Sequence, residues 1–370
     1  FITPPELDGH PLLSQYQETC RLLFQTYQQA LPVLQSYVAQ KNPRQPQESE
    51  AAWERRTRSE YVDVCRFLLP AASVANVGVT INARALEHAL RKMHSHPLAE
   101  VQAIGAEVQA VSQVEVPTLI KYVEPVAYLA RARRELGEAT HRLPAASAVE
   151  PDWCQLVHCD PEGENRLLAA ALYRFGEIGY AQAIAGVEGL PPEEKRRLTQ
   201  ALIGNLERFD IPLRELEHTT FSFDLLLDQG AFFELKRHRM LTLTPQGLTA
   251  RLGYVMPQAI VAAGFESPYR QAMEAAQRTY ERLFEFNPEV ASYVVPNAFN
   301  RRALITLNLR SAYHLIGLRA AENAHFSIRR VAYRMAERLQ ECLPLLAASL
   351  RLQPGESWQQ IEAHYFAQTA

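Results

Sequence analysis

The chain has 370 residues, 47% of them apolar, with 38 basic and 41 acidic side chains and a formal net charge of −3. That is enough apolar material for a sizeable core, while the near balance of charge excludes a global attraction to nucleic acid, so any anion site must be local. No apolar run reaches the roughly 20 residues that a membrane-spanning helix needs.

Cys20, Cys65, Cys154, Cys159 and Cys342 are odd in number and sparse. Such a set argues against a disulfide framework and for a reducing cytoplasm. No signal peptide is visible. Phe1 opens inside what reads as structured sequence, so the start of the natural chain is expected to lie upstream.

In chain order, residues 11–40 read as a long helix, with Leu12, Tyr16, Leu22, Leu23, Tyr27 and Leu31 at helical spacing. KNPRQPQESE (41–50) is a polar loop. A second helix, EYVDVCRFLLP, ends at Pro70. ASVANVGVTINA is small, β-branched and strand-like. ARALEHALRKM is helical, and another helix runs from Pro97 to about Gln113. Residues 136–165 are weakly periodic and rich in Gly, Pro, Asp and Glu, which predicts a linker. Helices are expected over 166–185 and 191–208. HTTFSFDLLLD (218–228) is the clearest strand, with Phe221, Phe223, Leu225 and Leu227 alternating. A helix carrying Phe232 and Phe233 then delivers Arg237, His238 and Arg239. Helices over 268–286 and 322–348 follow.

The chain also repeats itself. FITPPEL from Phe1 matches YVMPQAI from Tyr254, and YQETCRLLFQTYQQAL from Tyr16 matches YRQAMEAAQRTYERLF from Tyr269, a shift of 253 residues. FLLPAASVANVGVTINARALEHAL from Phe67 matches YVVPNAFNRRALITLNLRSAYHLI from Tyr293, a shift of 226. Pro70 pairs with Pro296, Asn82 with Asn308, Arg84 with Arg310 and His88 with His314. The first copy therefore carries a 27-residue insertion between its helices, where the polar loop lies. This pattern predicts a duplication whose first copy lacks its front: residues 1–135 as the end of one unit, 136–165 as linker, and 166–370 as a second unit.

Arg237-His238-Arg239 is the sharpest chemical feature. Arginine forks match phosphate and carboxylate oxygens and stay charged at any relevant pH. Alone, the tripeptide fits a solvated helix end as well as an anion clamp, and the strand nineteen residues before it favours a rigid mount. Asn82-Ala83-Arg84 and Asn308-Leu309-Arg310 each open a helix with a histidine four residues after the arginine, on one helical face. They are a repeated ligand contact or inherited structural symmetry. Cys154, His158 and Cys159 have part of a metal-ligand spacing but no second pair, so no metal is expected. No phosphate-binding glycine loop is present.

In order and spacing, these residues resemble the flavin-dependent thymidylate synthases. The signature of that family is RHR, seven residues, then Ser-x-Arg, behind a strand of the EHxxFxF type. Here that strand is Glu217-His218-Thr219-Thr220-Phe221-Ser222-Phe223. The resemblance covers most of the chain apart from 116–200. It implies an α/β (α+β) fold, with a small antiparallel sheet packed against long helices in each of two units. It implies FAD as cofactor and reductive methylation of dUMP to dTMP, using methylenetetrahydrofolate and NADPH, and no cysteine nucleophile.

Carried over by position, the resemblance assigns His238, Arg239, Glu217, Asn308, Arg310 and His314, with Asn82, Arg84 and His88 of the first copy, to the flavin. Arg237, Arg319, Arg66 and Glu234 fall at nucleotide-side positions. The chain departs from the pattern at several of these. The Ser-x-Arg positions are Gly247 and Thr249, the preceding acidic residue is Pro245, and the Gln before the clamp is Glu234. Ser292 replaces an arginine that the first copy keeps as Arg66, and Met93 stands opposite Arg319. The complementary losses imply sites shared between the two copies in a homodimer resembling the family's tetramer, with a Ser-x-Arg tail upstream of Phe1. A catalytically silent flavin- or nucleotide-binding paralogue, and a related flavoenzyme acting on another pyrimidine nucleotide, are the alternatives. The catalytic residues remain unassigned.

Overall fold

The computed structural model of the chain describes residues 1–140, 142–143, 152–207 and 209–367. The first helices are α1 (Leu13–Lys41), α2 (Glu50–Cys65), α3 (Ala83–His94), α4 (Ala99–Glu115) and α5 (Ala127–Thr140). Strand β1 (Cys154–His158) precedes α6 (Gly163–Phe175), α7 (Tyr180–Glu188) and α8 (Pro192–Thr199). Then come β2 (Thr220–Asp228), α9 (Gln229–Leu235), β3 (Thr242–Pro245), α10 (Gln258–Ala262), α11 (Glu266–Phe286) and α12 (Pro288–Ala291). The chain closes with β4 (Asn300–Asn308), α13 (Leu309–Arg319), α14 (Phe326–Cys342) and α15 (Trp358–Tyr365). The expected class is thus observed: long helices with one small antiparallel sheet. None of the described helices is long and apolar enough to cross a membrane.

Two compact units form. One comprises residues 1–26, 69–150 and 271–296, and the other 27–68, 151–270 and 297–370. Each takes segments from both sequence repeats.

The second unit holds the sheet, in the order β1-β2-β4-β3, all antiparallel. Alternation on β2 buries Phe221, Phe223, Leu225 and Leu227 completely, and Ala303, Ile305 and Leu307 of β4 share that face. Helix α14 covers it with Ile328, Val331, Ala332, Met335, Ala336 and Leu339, a stripe at three- and four-residue spacing. Ser222 and Thr306 meet across the strands at 2.7 Å. The register sets Thr220 opposite Asn308, so the start of β2 lies beside the N-terminus of α13.

In the first unit, the Tyr16 hydroxyl donates to the Ile2 carbonyl at 2.6 Å. In the second, the Tyr269 hydroxyl donates to the Val255 carbonyl at 2.9 Å. Under the shift of 253 these are the same bond. The 226 shift behaves likewise: Ala72 N–H donates to the Tyr293 carbonyl in the first unit, and Ala298 N–H to that of Phe67 in the second. The caps match too, since Asn82 accepts from Ala85 N–H at 2.9 Å and Asn308 from Ser311 N–H at 2.8 Å. Tyr16→Phe and Tyr269→Phe should therefore each cost about 1–2 kcal/mol, the penalty of orphaning a buried acceptor. Chemical denaturation of the two variants checks this, and unequal costs would deny the tyrosines a matched role.

Several expectations are corrected. Residues 73–82 form no strand, because the positions matching β4 have no partner strand among the described residues of the first unit. Val77, Val79 and Ile81 are accordingly 78%, 73% and 41% exposed, where Ala303, Ile305 and Leu307 are buried. The supposed linker holds the end of α5 and all of β1, since Cys154 and Leu156 pair with β2. Residues 141 and 144–151 of that stretch lie outside the described residues. The single helix expected over 166–185 breaks at Gly176, which caps α6 in an extended conformation. Helix α14 stops at Cys342 rather than 348, two residues before Pro344, which cannot continue it. The polar loop ends at Ser49, whose side chain caps α2 through Ala52 N–H. The cysteines build no disulfide framework among the described residues, and a single bond, Cys159–Cys342, ties the segment after β1 to the end of α14. Cys20, Cys65 and Cys154 are free and buried.

Candidate functional site

Asp228 starts the construction of the site. It ends β2, is fully buried and caps α9, with Oδ1 accepting from Ala231 N–H at 3.0 Å. Its Oδ2 accepts from the Ser327 hydroxyl, which fastens this cap to α14. Burial raises the carboxyl's affinity for its proton, and the Ser327 and Ala231 bonds oppose that. From this anchor α9 runs to Leu235 and the chain turns, releasing Arg237, His238 and Arg239 into a cavity of about 1060 Å³.

Helix α13 forms another wall. Arg310, His314 and Gly317 follow at helical spacing and line the cavity together. A side chain at Gly317 would meet no atom within 4 Å, so its absence leaves the helix backbone bare there. The turn before β2 places Glu217 beside α13, where its Oε1 accepts from Arg310 Nη1 at 2.7 Å. Hydrogen bonds from Arg214 and Arg310 hold Glu217 below the usual carboxylate range. Arg310 Nε also donates to the Pro212 carbonyl at 2.8 Å, and Arg351 to the Glu207 carbonyl. These two arginines fix a loop that sets Phe209 and Ile211 at the cavity's edge.

The charged end is tightly wired. Arg319 Nε donates to His238 Nε2 at 2.9 Å, which requires a neutral imidazole with its proton on Nδ1. His238 and His314 meet edge to face at 5.6 Å. Burial, Arg319 and His314 depress the His238 pKa to about 4. Arg319 Nη1 donates to Glu234 Oε2, and Arg237 Nη1 lies 3.4 Å from Glu234 Oε1.

The lowered pKa has a signed consequence. An unfolded histidine takes a proton near pH 6.5, whereas folded His238 refuses it until about pH 4. Its contribution to stability is complete above pH 6.5 and is lost as pH falls toward 4. His238→Gln, which keeps an acceptor for Arg319, should remove about 2 kcal/mol of the stability lost over that window. Denaturation curves at pH 7 and pH 4.5 for both proteins measure it.

Every second-copy residue assigned to the flavin (Glu217, His238, Arg239, Asn308, Arg310 and His314) lines this one cavity, as do Arg237 and Arg319. Glu234 stands just behind the wall. Arg66, in the same unit, pairs with Asp63 at 3.1 Å and does not line the cavity. Asn82, Arg84 and His88 lie in the first unit, where all three are exposed and Asn82 serves as a helix cap. The tail after the clamp belongs to the sheet: Pro245 faces Ala303, Gln246 N–H donates to the Arg302 carbonyl, and Gly247 is open to solvent. Cys154 is in the core and Cys159 is bonded to Cys342, so that trio builds no metal site.

Sequence reasoning missed Phe209, Ile211, Met240, Leu318 and Arg351. Met240, directly after the clamp, is 77% exposed, and Phe209 84%. Apolar side chains this exposed beside a cluster of arginines suit a planar ligand, and both their exposure and their grouping emerge only in the fold.

The thymidylate synthase complementing protein family model matches residues 1–118 and 155–345. A UPF0159 protein of Chlamydia muridarum is 32% identical over 364 residues, 95% of this chain and 68% of that protein. One from Chlamydia pneumoniae is 29% identical over 90% of this chain and 64% of its own length, so the chain spans about two thirds of these relatives. A flavin-dependent thymidylate synthase of Pyrococcus abyssi is 28% identical over 136 residues, 34% of this chain and 56% of that protein. Among solved structures, a flavin-dependent thymidylate synthase of Helicobacter pylori complexed with FAD and dUMP aligns with 55% of this chain and all of its own, at 18% identity and a TM-score of 0.41.

Proposed function

Because the chain belongs to the thymidylate synthase complementing protein family, we propose that it is an FAD-binding enzyme of the thymidylate synthase type, methylating dUMP to dTMP with methylenetetrahydrofolate and NADPH. The observation that carries this reading is the convergence of Glu217, His238, Arg239, Asn308, Arg310 and His314 on one cavity. Its volume of about 1060 Å³ lies just above the range of roughly 300–1,000 Å³ for small-molecule sites.

The residues suit a flavin. Arg239 offers a cationic fork for a pyrophosphate. Phe209, Ile211 and Leu318 offer apolar surface to a ring system, and bare Gly317 leaves room against α13. When bound, FAD would accept a hydride from NADPH and supply one to the one-carbon unit joined to the pyrimidine, which brings it to the methyl level. The protein's own part is to bind, orient and exclude water. Arg310 holds Glu217 and the Pro212 carbonyl, so one side chain fixes two walls. Neutral His238 accepts from Arg319 and leaves its Nδ1–H as a donor. None of the free cysteines enters this scheme. Burial pushes the thiols of Cys20 and Cys65 up to about 12, and Cys154 is shifted the same way.

The matched hydrogen bonds under both sequence shifts, and the two segments of the family match, support descent by duplication. Site sharing between copies, with Arg66 serving a nucleotide in a homodimer and Asn82, Arg84 and His88 serving a flavin, extends this reading. So does a cytoplasmic setting. The Glu234 carboxylate between Arg237 and Arg319 favours a second reading, a related flavoenzyme whose pyrimidine differs from dUMP.

Incubating the protein with FAD, NADPH, methylenetetrahydrofolate and dUMP tests the main reading. Formation of dTMP supports it, whereas bound flavin without dTMP moves the assignment to the second. Failure to bind FAD overturns both.

A further inference from the structure

We propose that Glu234 is the specificity-determining residue of this cavity: it fills the seat between Arg237 and Arg319 and turns the site toward an unphosphorylated pyrimidine nucleoside. The inference rests on the second reading above, a flavoenzyme whose pyrimidine differs from dUMP, and it runs against dUMP as the substrate.

The geometry is that of an anion already bound. Two arginines converge on one carboxylate, Arg319 through Nη1 to Oε2 and Arg237 through Nη1 at 3.4 Å from Oε1. The Glu234 and Arg319 side chains are each only 16% exposed, so water screens their pair weakly. Arg319 is doubly committed, since its Nε is spent on His238 at 2.9 Å. A bound phosphomonoester needs the same donors and carries about two negative charges. To sit there it must displace Glu234 or lie against it, and like charges so close repel strongly.

The surroundings sharpen this. Burial raises the affinity of Asp63 for a proton against the pull of Arg66, and Glu234 lies near enough to add to the rise, while Arg66 pairs with Asp63 at 3.1 Å. Both guanidiniums at this seat, Arg237 and Arg319, are already engaged by the Glu234 carboxylate, and His238 beside them is neutral. A hydroxyl brings no charge and can lie against Arg237 and Arg319 at the wall while both keep their contacts with Glu234 behind it. A nucleoside 5′-hydroxyl is such a group.

Titrating deoxyuridine, dUMP and inorganic phosphate into the FAD-loaded chain and its Glu234→Gln variant tests this. The amide keeps the shape of the side chain and removes its charge. The wild type should bind dUMP no more than about threefold tighter than deoxyuridine. The variant should bind dUMP and inorganic phosphate at least tenfold tighter than the wild type does, while its affinity for deoxyuridine changes less than threefold. A wild type that prefers dUMP by tenfold or more overturns the proposal. So does a variant that gains no affinity for inorganic phosphate. If neither protein binds a pyrimidine, the pyrimidine reading of the cavity fails, and with it the proposed nucleoside preference. The phosphate arm still decides separately whether Glu234 holds an anion seat. A melting temperature for the variant within a few degrees of wild type shows that it is folded.

Discussion

Arg310→Ala should lower the affinity for FAD by about 100-fold. Arg310 makes two charge-assisted contacts in different directions, to Glu217 at 2.7 Å and to the Pro212 carbonyl at 2.8 Å. Bonds of this kind contribute about 1.5–3 kcal/mol each, and 1.4 kcal/mol is a factor of ten in binding. Removing the guanidinium frees the loop that carries Phe209 and Ile211 and leaves Glu217 without its cavity-side partner. Both the charge and the shape of the flavin site change together. Arg310→Lys keeps the charge but cannot reach both partners with a fixed fork, so it should restore less than a tenth of the loss. Flavin fluorescence quenching gives the dissociation constants, and far-ultraviolet circular dichroism confirms the fold. An alanine variant that binds FAD normally would remove the flavin from this cavity.

Asp228→Ala should cost about 3–4 kcal/mol of stability. The carboxylate has no solvent exposure and satisfies two buried donors, Ala231 N–H and the Ser327 hydroxyl. Losing a helix cap costs about 1 kcal/mol, and each buried donor left unpaired about 1–3 kcal/mol. Asp228→Asn keeps one acceptor and should lose about half as much. The variant also tests positioning, because α9 carries the clamp. Its FAD affinity should fall at temperatures well below its unfolding midpoint. Urea denaturation, paired with flavin titration at 10 °C, separates the two effects.

Much of the site was legible because its residues come in dense local runs. Glu217 to Phe223, Lys236 to Arg239 and Asn308 to His314 each bring their chemistry on a single element, so spacing alone gathers them. The β2 strand was readable from strict alternation. What failed has a common cause, which is that pairing is not a local property. Residues 73–82 have the composition of β4, yet a strand exists only where a neighbour supplies its hydrogen bonds. Conversely, Cys154–His158 looks like linker but becomes a strand because β2 offers an open edge. The Cys159–Cys342 bond was invisible for the same reason, since its halves are 183 residues apart. Glu234 was conspicuous as a departure from the family pattern. Its partner Arg319 is 85 residues away in sequence, and only the fold reveals that the two meet.

The central claim is that one cavity of the second unit holds the flavin with the pyrimidine beside it. The most direct test is the visible absorption spectrum of the FAD-loaded protein, recorded before and after addition of deoxyuridine or dUMP. A flavin retained through gel filtration, with its 450 nm band shifted by at least one of the two pyrimidines and not by a purine nucleoside, is the predicted result. A protein that loses its flavin on the column, or a band indifferent to every pyrimidine, would contradict it.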